Sequence, residues 1–118
     1  MKSPQNGLLI GVVGPCAAGK STLVASLRSK GYIGKHIAQE HSYVQDMWKR
    51  ITDPDILVFL EVSYPASVKR RKLDWTETEY QVQLSRLENA HRHADLVIFT
   101  DPLTPEQVLD RVLDFLNE

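Results

Sequence analysis

The stretch from Gly11 to Leu23, GVVGPCAAGKSTL, decides how this chain is read. Leading into it, Leu8 to Val13 (LLIGVV) is a short apolar run with β-branched residues, which suits a strand buried on both faces of a parallel sheet. Lys20 to Lys30 reads as a helix with Leu23, Val24 and Leu27 on one face, and Gly31 is placed to end it. Between them, Gly14-Pro15-Cys16-Ala17-Ala18-Gly19-Lys20-Ser21 satisfies G-x-x-x-x-G-K-[ST] at every fixed position. A strand before and a helix after are the context this spacing needs.

The spacing has a chemical logic. Glycines let the backbone curl until successive N–H groups converge on one concavity, and the positive end of the following helix closes that anion nest. Lys20 adds a mobile point charge for the β- and γ-phosphates of a nucleotide, and Ser21 offers a hydroxyl to Mg²⁺. Thr22 could place a second hydroxyl near the α-phosphate. Cys16 occupies a variable position of the motif and is read as incidental.

Outward from the loop, strands and helices alternate. Ile33 to Ala38 is a weaker strand candidate, and Ser42-x-x-Gln45 predicts a capping box opening a helix to about Arg50. Val44, Met47, Trp48 and Ile51 would form its apolar face, which makes Trp48 a packing residue first and a stacking platform second. Ile56 to Val62 and Asp95 to Thr100 are two further apolar strands. Between them Tyr64 to Ala94 is charged and helical, interrupted by Leu73-Asp74-Trp75 and restarted by Thr76-x-x-Glu79 toward His93. Trp75 looks poorly placed for a core, and suggests a nucleotide cover or a subunit contact. Thr104-Pro105-Glu106-Gln107 opens a closing helix striped by Val108, Leu109, Val112, Leu113 and Leu116. Such alternation implies right-handed βαβ units. The expected fold is α/β, three layers around a parallel sheet of about four strands, in one domain over residues 1–118 with a tail at 1–7.

The 118 residues are 42% hydrophobic and 25% charged, so a core can be buried, and the net charge of −1 gives no reason to expect nucleic acid as a partner. One cysteine allows no intrachain disulfide, and neither a signal-peptide core nor a membrane-length apolar run is seen, so a cytoplasmic address is expected.

With the motif in place, the sequence resembles the P-loop kinases of small molecules, the group that holds nucleoside monophosphate kinases, shikimate kinase and gluconate kinase. ILVFLEVSYPASVKRRK is similar to the strand and arginine-rich helix that lead into the lid of those enzymes. RLENAHRHADLVIFTD is similar to the lid exit and last strand, and PEQVLDRVLDFL to the closing helix. The resemblance implies a helical lid over 64–93, with Arg70 and Arg71 at its entry and Arg86 and Arg92 at its exit as candidates to reach transferred phosphates. It departs from the family in one place: only GYIGKHIAQEHSYVQDMWKRITDPD stands where an acceptor-binding insertion and another strand are usual.

The expected activity is therefore transfer of the γ-phosphoryl group of ATP, with Mg²⁺, to a small acceptor such as a nucleoside or nucleotide. An acid at the carboxyl end of a neighbouring strand would support the metal or take the acceptor's proton. Glu40 is preferred, because pairing HIAQE beside the first strand puts it at the phosphates; Glu61 is the alternative, at the lid-side rim or paired with a lid arginine. Gln39 and His41 flank Glu40 and could hydrogen-bond an acceptor, although His41 reads more simply as a helix-flanking residue. The compressed acceptor segment suggests a homodimer that completes the site. Two other readings stay open: a nucleotide-binding or hydrolysing regulatory module, and a kinase of nucleic-acid ends.

Overall fold

The apolar runs become four strands, β1 (Leu9–Val13), β2 (Ile33–His36), β3 (Ile56–Glu61) and β4 (Leu96–Phe99), all parallel and ordered β2-β1-β3-β4. The computed structural model describes residues 7–71 and 74–118. Residues 1–6 of the expected tail, Lys72 and Leu73 of the expected interruption, and the side chain of Arg71 lie outside the described residues. Among the described residues five α-helices accompany the sheet: α1 (Lys20–Ser29), α2 (Tyr64–Arg71), α3 (Glu77–Arg86), α4 (Glu88–His93) and α5 (Pro105–Leu116).

The period-2 geometry of the strands divides the core in two. Ile10, Val12, Val58, Leu60 and Ile98 face Leu23, Val24 and Leu27 of α1 and Val108 and Val112 of α5. On the opposite face, Val13, Leu57 and Phe59 pack with Ile37, Trp48, Leu87 and Ala90. β1 and β3 are buried on both sides, as their near-continuous apolar sequences require. The class is α/β, and among the described residues no helix is long and apolar enough to cross a membrane.

Local signals hold where nothing tertiary competes. Thr76 and Thr104 each accept the backbone N–H three residues on, at 3.1 Å, while Glu79 and Gln107 reach back at 2.8 Å. After α1, Tyr32 N–H donates to Leu27 O at 3.0 Å with Gly31 at φ +92, so Gly31 ends that helix in the left-handed conformation.

The helix expected from Ser42 to Arg50 does not form. A 3₁₀ turn over Gln39–His41 and a π-helical turn over Trp48–Thr52 replace it. Ser42 Oγ accepts from Val44 N instead of capping at Gln45. The Gln45 amide turns away to the helical layer, donating to Ser85 O at 2.7 Å and accepting from Asn89 N at 3.1 Å. Buried Gln39 takes the Trp48 N–H at 2.8 Å and donates to Val44 O and Arg86 O. Gln39 thus satisfies Val44 O and Trp48 N–H, backbone groups that a local helix would have satisfied, while the Gln45 amide serves the backbone of α3 and α4. The single helix expected from Thr76 to His93 also divides, at Leu87, which turns inward and is 1% exposed.

Both tryptophans are packing residues. Trp48 lies in the second core with its indole N–H on Asn89 Oδ1 at 3.0 Å. Trp75 is half-buried and outside both core clusters, and its ring joins Tyr64 and Tyr80 while its N–H donates to Ser67 Oγ at 3.2 Å. Tyr64 hydroxyl donates to Trp75 O at 2.6 Å, so the aromatic trio closes the α2–α3 connection.

Candidate functional site

The loop after β1 starts at Gly14, whose φ is +154 and where an added Cβ would lie 2.3 Å from the Leu60 carbonyl oxygen. Ala17 is held at φ +71, and Ala18 N–H closes a turn onto Pro15 O at 3.2 Å. α1 follows Gly19 with no side-chain cap and no acid in its first turn. Its amino end therefore keeps its positive partial charge uncompensated by side chains, and Ser21 and Thr22 are exposed there.

Lys20 is buried and folds back over the loop. Its ammonium donates to Gly14 O at 2.7 Å and Pro15 O at 3.0 Å, and pairs with Glu40 Oε2 at 3.0 Å. β2 delivers that carboxylate: it pairs with β1, Ile37 N–H continues the ladder to Val12 O, and the 3₁₀ turn then aims Glu40 inward. The Glu40 side chain is 4% exposed, and its other oxygen, Oε1, has no hydrogen-bond partner among the described residues. His41 Nε2 stands 3.7 Å from Oε2 on the solvent side. Arg86 donates to Glu40 O at 3.3 Å and lies 4.6 Å over the Tyr43 ring.

Gln83 clamps the loop from above. Its Oε1 accepts the Cys16 N–H at 2.9 Å and its Nε2 donates to Cys16 Sγ at 3.1 Å. The sequence held a signal for it: Gln83 is a polar residue between Tyr80 and Leu87 on the inward stripe of a helix. Replacing it with leucine should cost about 1–3 kcal/mol, because the Cys16 N–H loses its partner inside the fold. Urea unfolding of Gln83→Leu would measure this, and an unchanged midpoint would count against the clamp.

Arg70 holds the other flank, donating to Thr100 O at 2.6 Å, Thr100 Oγ1 at 2.9 Å and Ala17 O at 3.3 Å. Asp101 accepts from Ser63 N at 3.0 Å and Ser63 Oγ at 2.6 Å, which fixes the start of α2. A cavity of about 170 Å³ opens here between Ala17, Gly19, Thr22, Arg70, Thr100 and Pro105. A second cavity, about 610 Å³, lies beyond Pro15, among Phe59, Glu61, Tyr80, His91 and Phe99.

The structure thus gathers Lys20, Glu40, Cys16 and Arg86 on one side of the loop and Arg70 on the other. Glu61, expected at the lid-side rim or paired with a lid arginine, lines the larger cavity beside α3 and pairs with His91 Nε2 at 3.1 Å. Arg92 is exposed at the end of α4, four residues before β4 begins, and among the described residues no hydrogen bond or ion pair joins it to the loop. Gln39, expected to be free for an acceptor, is consumed by backbone partners.

His36, at the end of β2, has its pKa lowered from 6.5, first by burial and then by the Lys20 charge. Its neutral form is favoured by folding, so its contribution to stability is complete above pH 6.5 and is lost as pH falls below that value toward the lowered native pKa. Thermal melts of the protein and of His36→Gln across that range should show a shallower acid loss in the variant. Parallel curves would remove His36 as a cause.

No protein-family model matches the chain, and no curated protein matches it.

Proposed function

We propose that the chain is an ATP-dependent phosphotransferase, a reduced P-loop kinase that docks Mg-ATP on Gly14–Thr22 and passes the γ-phosphoryl group to a small acceptor. The observation that carries this reading is the uncapped amino end of α1 beside a buried Lys20 and a Glu40 carboxylate with one unpartnered oxygen. Buried polar atoms are nearly always satisfied, so an orphaned carboxylate oxygen beside an open anion seat suits a bound ligand.

The loop amides and Lys20 would bind the phosphates, and Arg70 and Arg86 are within the same neighbourhood to meet developing charge. Ser21 Oγ and Glu40 Oε1 are the oxygen donors that would hold Mg²⁺, which supplies charge neutralisation at the phosphates. The smaller cavity, between Thr22 and Arg70, suits the nucleoside end of the donor. The larger cavity beside Pro15 supplies acceptor space, which favours a transferase over a purely regulatory nucleotide binder. Helices α2 to α4 would serve as the lid, and a homodimer in the cytoplasm remains part of the proposal.

Thermal melts with a non-hydrolysable ATP analogue and Mg²⁺ test the donor half; an absent shift at millimolar analogue would end the reading. ADP release with nucleosides, nucleotides, sugars and hydroxy acids tests the other half. Release that no acceptor stimulates would leave the regulatory module in its place.

A further inference from the structure

We infer that the mouth of this loop also captures a thiophilic divalent cation, of the Zn²⁺ class, through Cys16 Sγ, Glu40 and His41 Nε2, and that the captured ion opposes nucleotide docking. The second half rests on the proposed nucleotide site; the first does not.

Among the described residues, these three side chains place one ligand atom each within 4.8 Å of one another. Tetrahedral zinc, with bonds of 2.0–2.3 Å, needs its ligand atoms about 3.3–3.8 Å apart. Glu40 Oε2 and His41 Nε2 already stand 3.7 Å apart. The remaining excess of roughly an ångström over that spacing lies in the distances to Cys16 Sγ; His41, 60% exposed at the end of a one-turn element, can follow the ion.

Two observations independent of the spacing support a ligand here. Glu40 is buried and among the described residues only its Oε2 is partnered, by Lys20 Nζ, so the carboxylate keeps unused acceptor capacity for a cation. Gln83 Nε2 donates to Cys16 Sγ at 3.1 Å while its carbonyl holds the Cys16 N–H, so the sulfur is oriented in advance by an outer hydrogen bond. The donor set selects the ion: magnesium takes oxygen ligands, whereas thiolate with imidazole and one carboxylate suits zinc or cobalt and leaves a fourth position open.

Capture has a consequence for Lys20. Glu40 Oε2 is its partner at 3.0 Å, and a divalent ion on the same carboxylate would displace the ammonium. The same carboxylate cannot then serve magnesium, and the cation stands where the loop would receive phosphate. A zinc ion would hold the site shut.

Cobalt(II) is the probe, because thiolate ligation gives a near-ultraviolet charge-transfer band that oxygen or nitrogen ligation lacks. The full chain should bind one equivalent with that band; Cys16→Ser should abolish it, and His41→Ala should weaken binding at least about 10-fold. His41 is at the surface, so its variant should fold even if Cys16→Ser does not. Absence of the band, or equal affinity in the native chain and His41→Ala, overturns the site. One equivalent of Zn²⁺ should also abolish the thermal shift given by Mg-ATP, and a zinc-selective chelator should restore it. A shift indifferent to saturating Zn²⁺ overturns the antagonism alone. A cobalt band without any Mg-ATP shift would sink the kinase reading and leave the metal site standing.

Discussion

Lys20→Met is expected to destabilise the protein by about 3–5 kcal/mol, lowering its melting temperature by roughly 10–20 °C. The reason lies in burial. Lys20 and Glu40 are both almost fully withdrawn from water and 3.0 Å apart, so removing the ammonium strands a carboxylate whose other oxygen already lacks a partner. Breaking one side of such a pair costs more than replacing both. The double variant Lys20→Met/Glu40→Gln should therefore recover most of the loss, and a four-protein cycle of urea unfolding measures the coupling directly. A double variant no more stable than Lys20→Met would refute the account. On the proposed function, Lys20→Met should also weaken Mg-ATP binding about 10- to 100-fold, through loss of a charged hydrogen bond worth about 1.5–3 kcal/mol.

Gly14→Ala should be more damaging to folding than any change to a surface charge. The new Cβ would stand 2.3 Å from the Leu60 carbonyl oxygen and 3.3 Å from its carbon, both backbone atoms of the central strand β3, at a φ of +154 that side chains rarely adopt. Neither partner can move without shearing β1 from β3, so the expected cost exceeds about 3 kcal/mol, a large share of the 5–15 kcal/mol typical of a domain. Ala17→Gly is the control of opposite sign. Ala17 sits at φ +71, where a Cβ is strained, and its removal should be neutral or stabilising by up to about 1 kcal/mol. Circular dichroism melts of the two variants compare them. A Gly14→Ala protein that melts with the parent would mean that the loop does not approach β3 as described.

The two expectations share a cause: the loop is a close-packed part of the core, set by its neighbours in space. That explains which features could be read early. Capping boxes at Thr76 and Thr104, the Gly31 stop and the apolar strands are local: each is decided by residues within four positions of one another, and each forms as its sequence suggests. Ser42-x-x-Gln45 has the same local signature and fails, because Gln39 and Gln45 find backbone partners 40 to 47 residues away in α3 and at Asn89. A lone sequence cannot rank a local bond against a distant one.

The same division runs through the candidate site. The sequence by itself determined the strand–loop–helix unit and the α/β class, since glycine placement and hydrophobic period act over short range. Glu40 reaches Lys20 only if β2 pairs with β1, and that pairing is a tertiary fact. Only the folded chain decided that Glu40 is buried against Lys20 while Glu61 turns to His91, that Gln83 clamps Cys16, and that Trp75 packs with Tyr64 and Tyr80 between α2 and α3. Those outcomes depend on which surfaces strand order brings together, and on the cost of leaving any polar group in those surfaces without a partner.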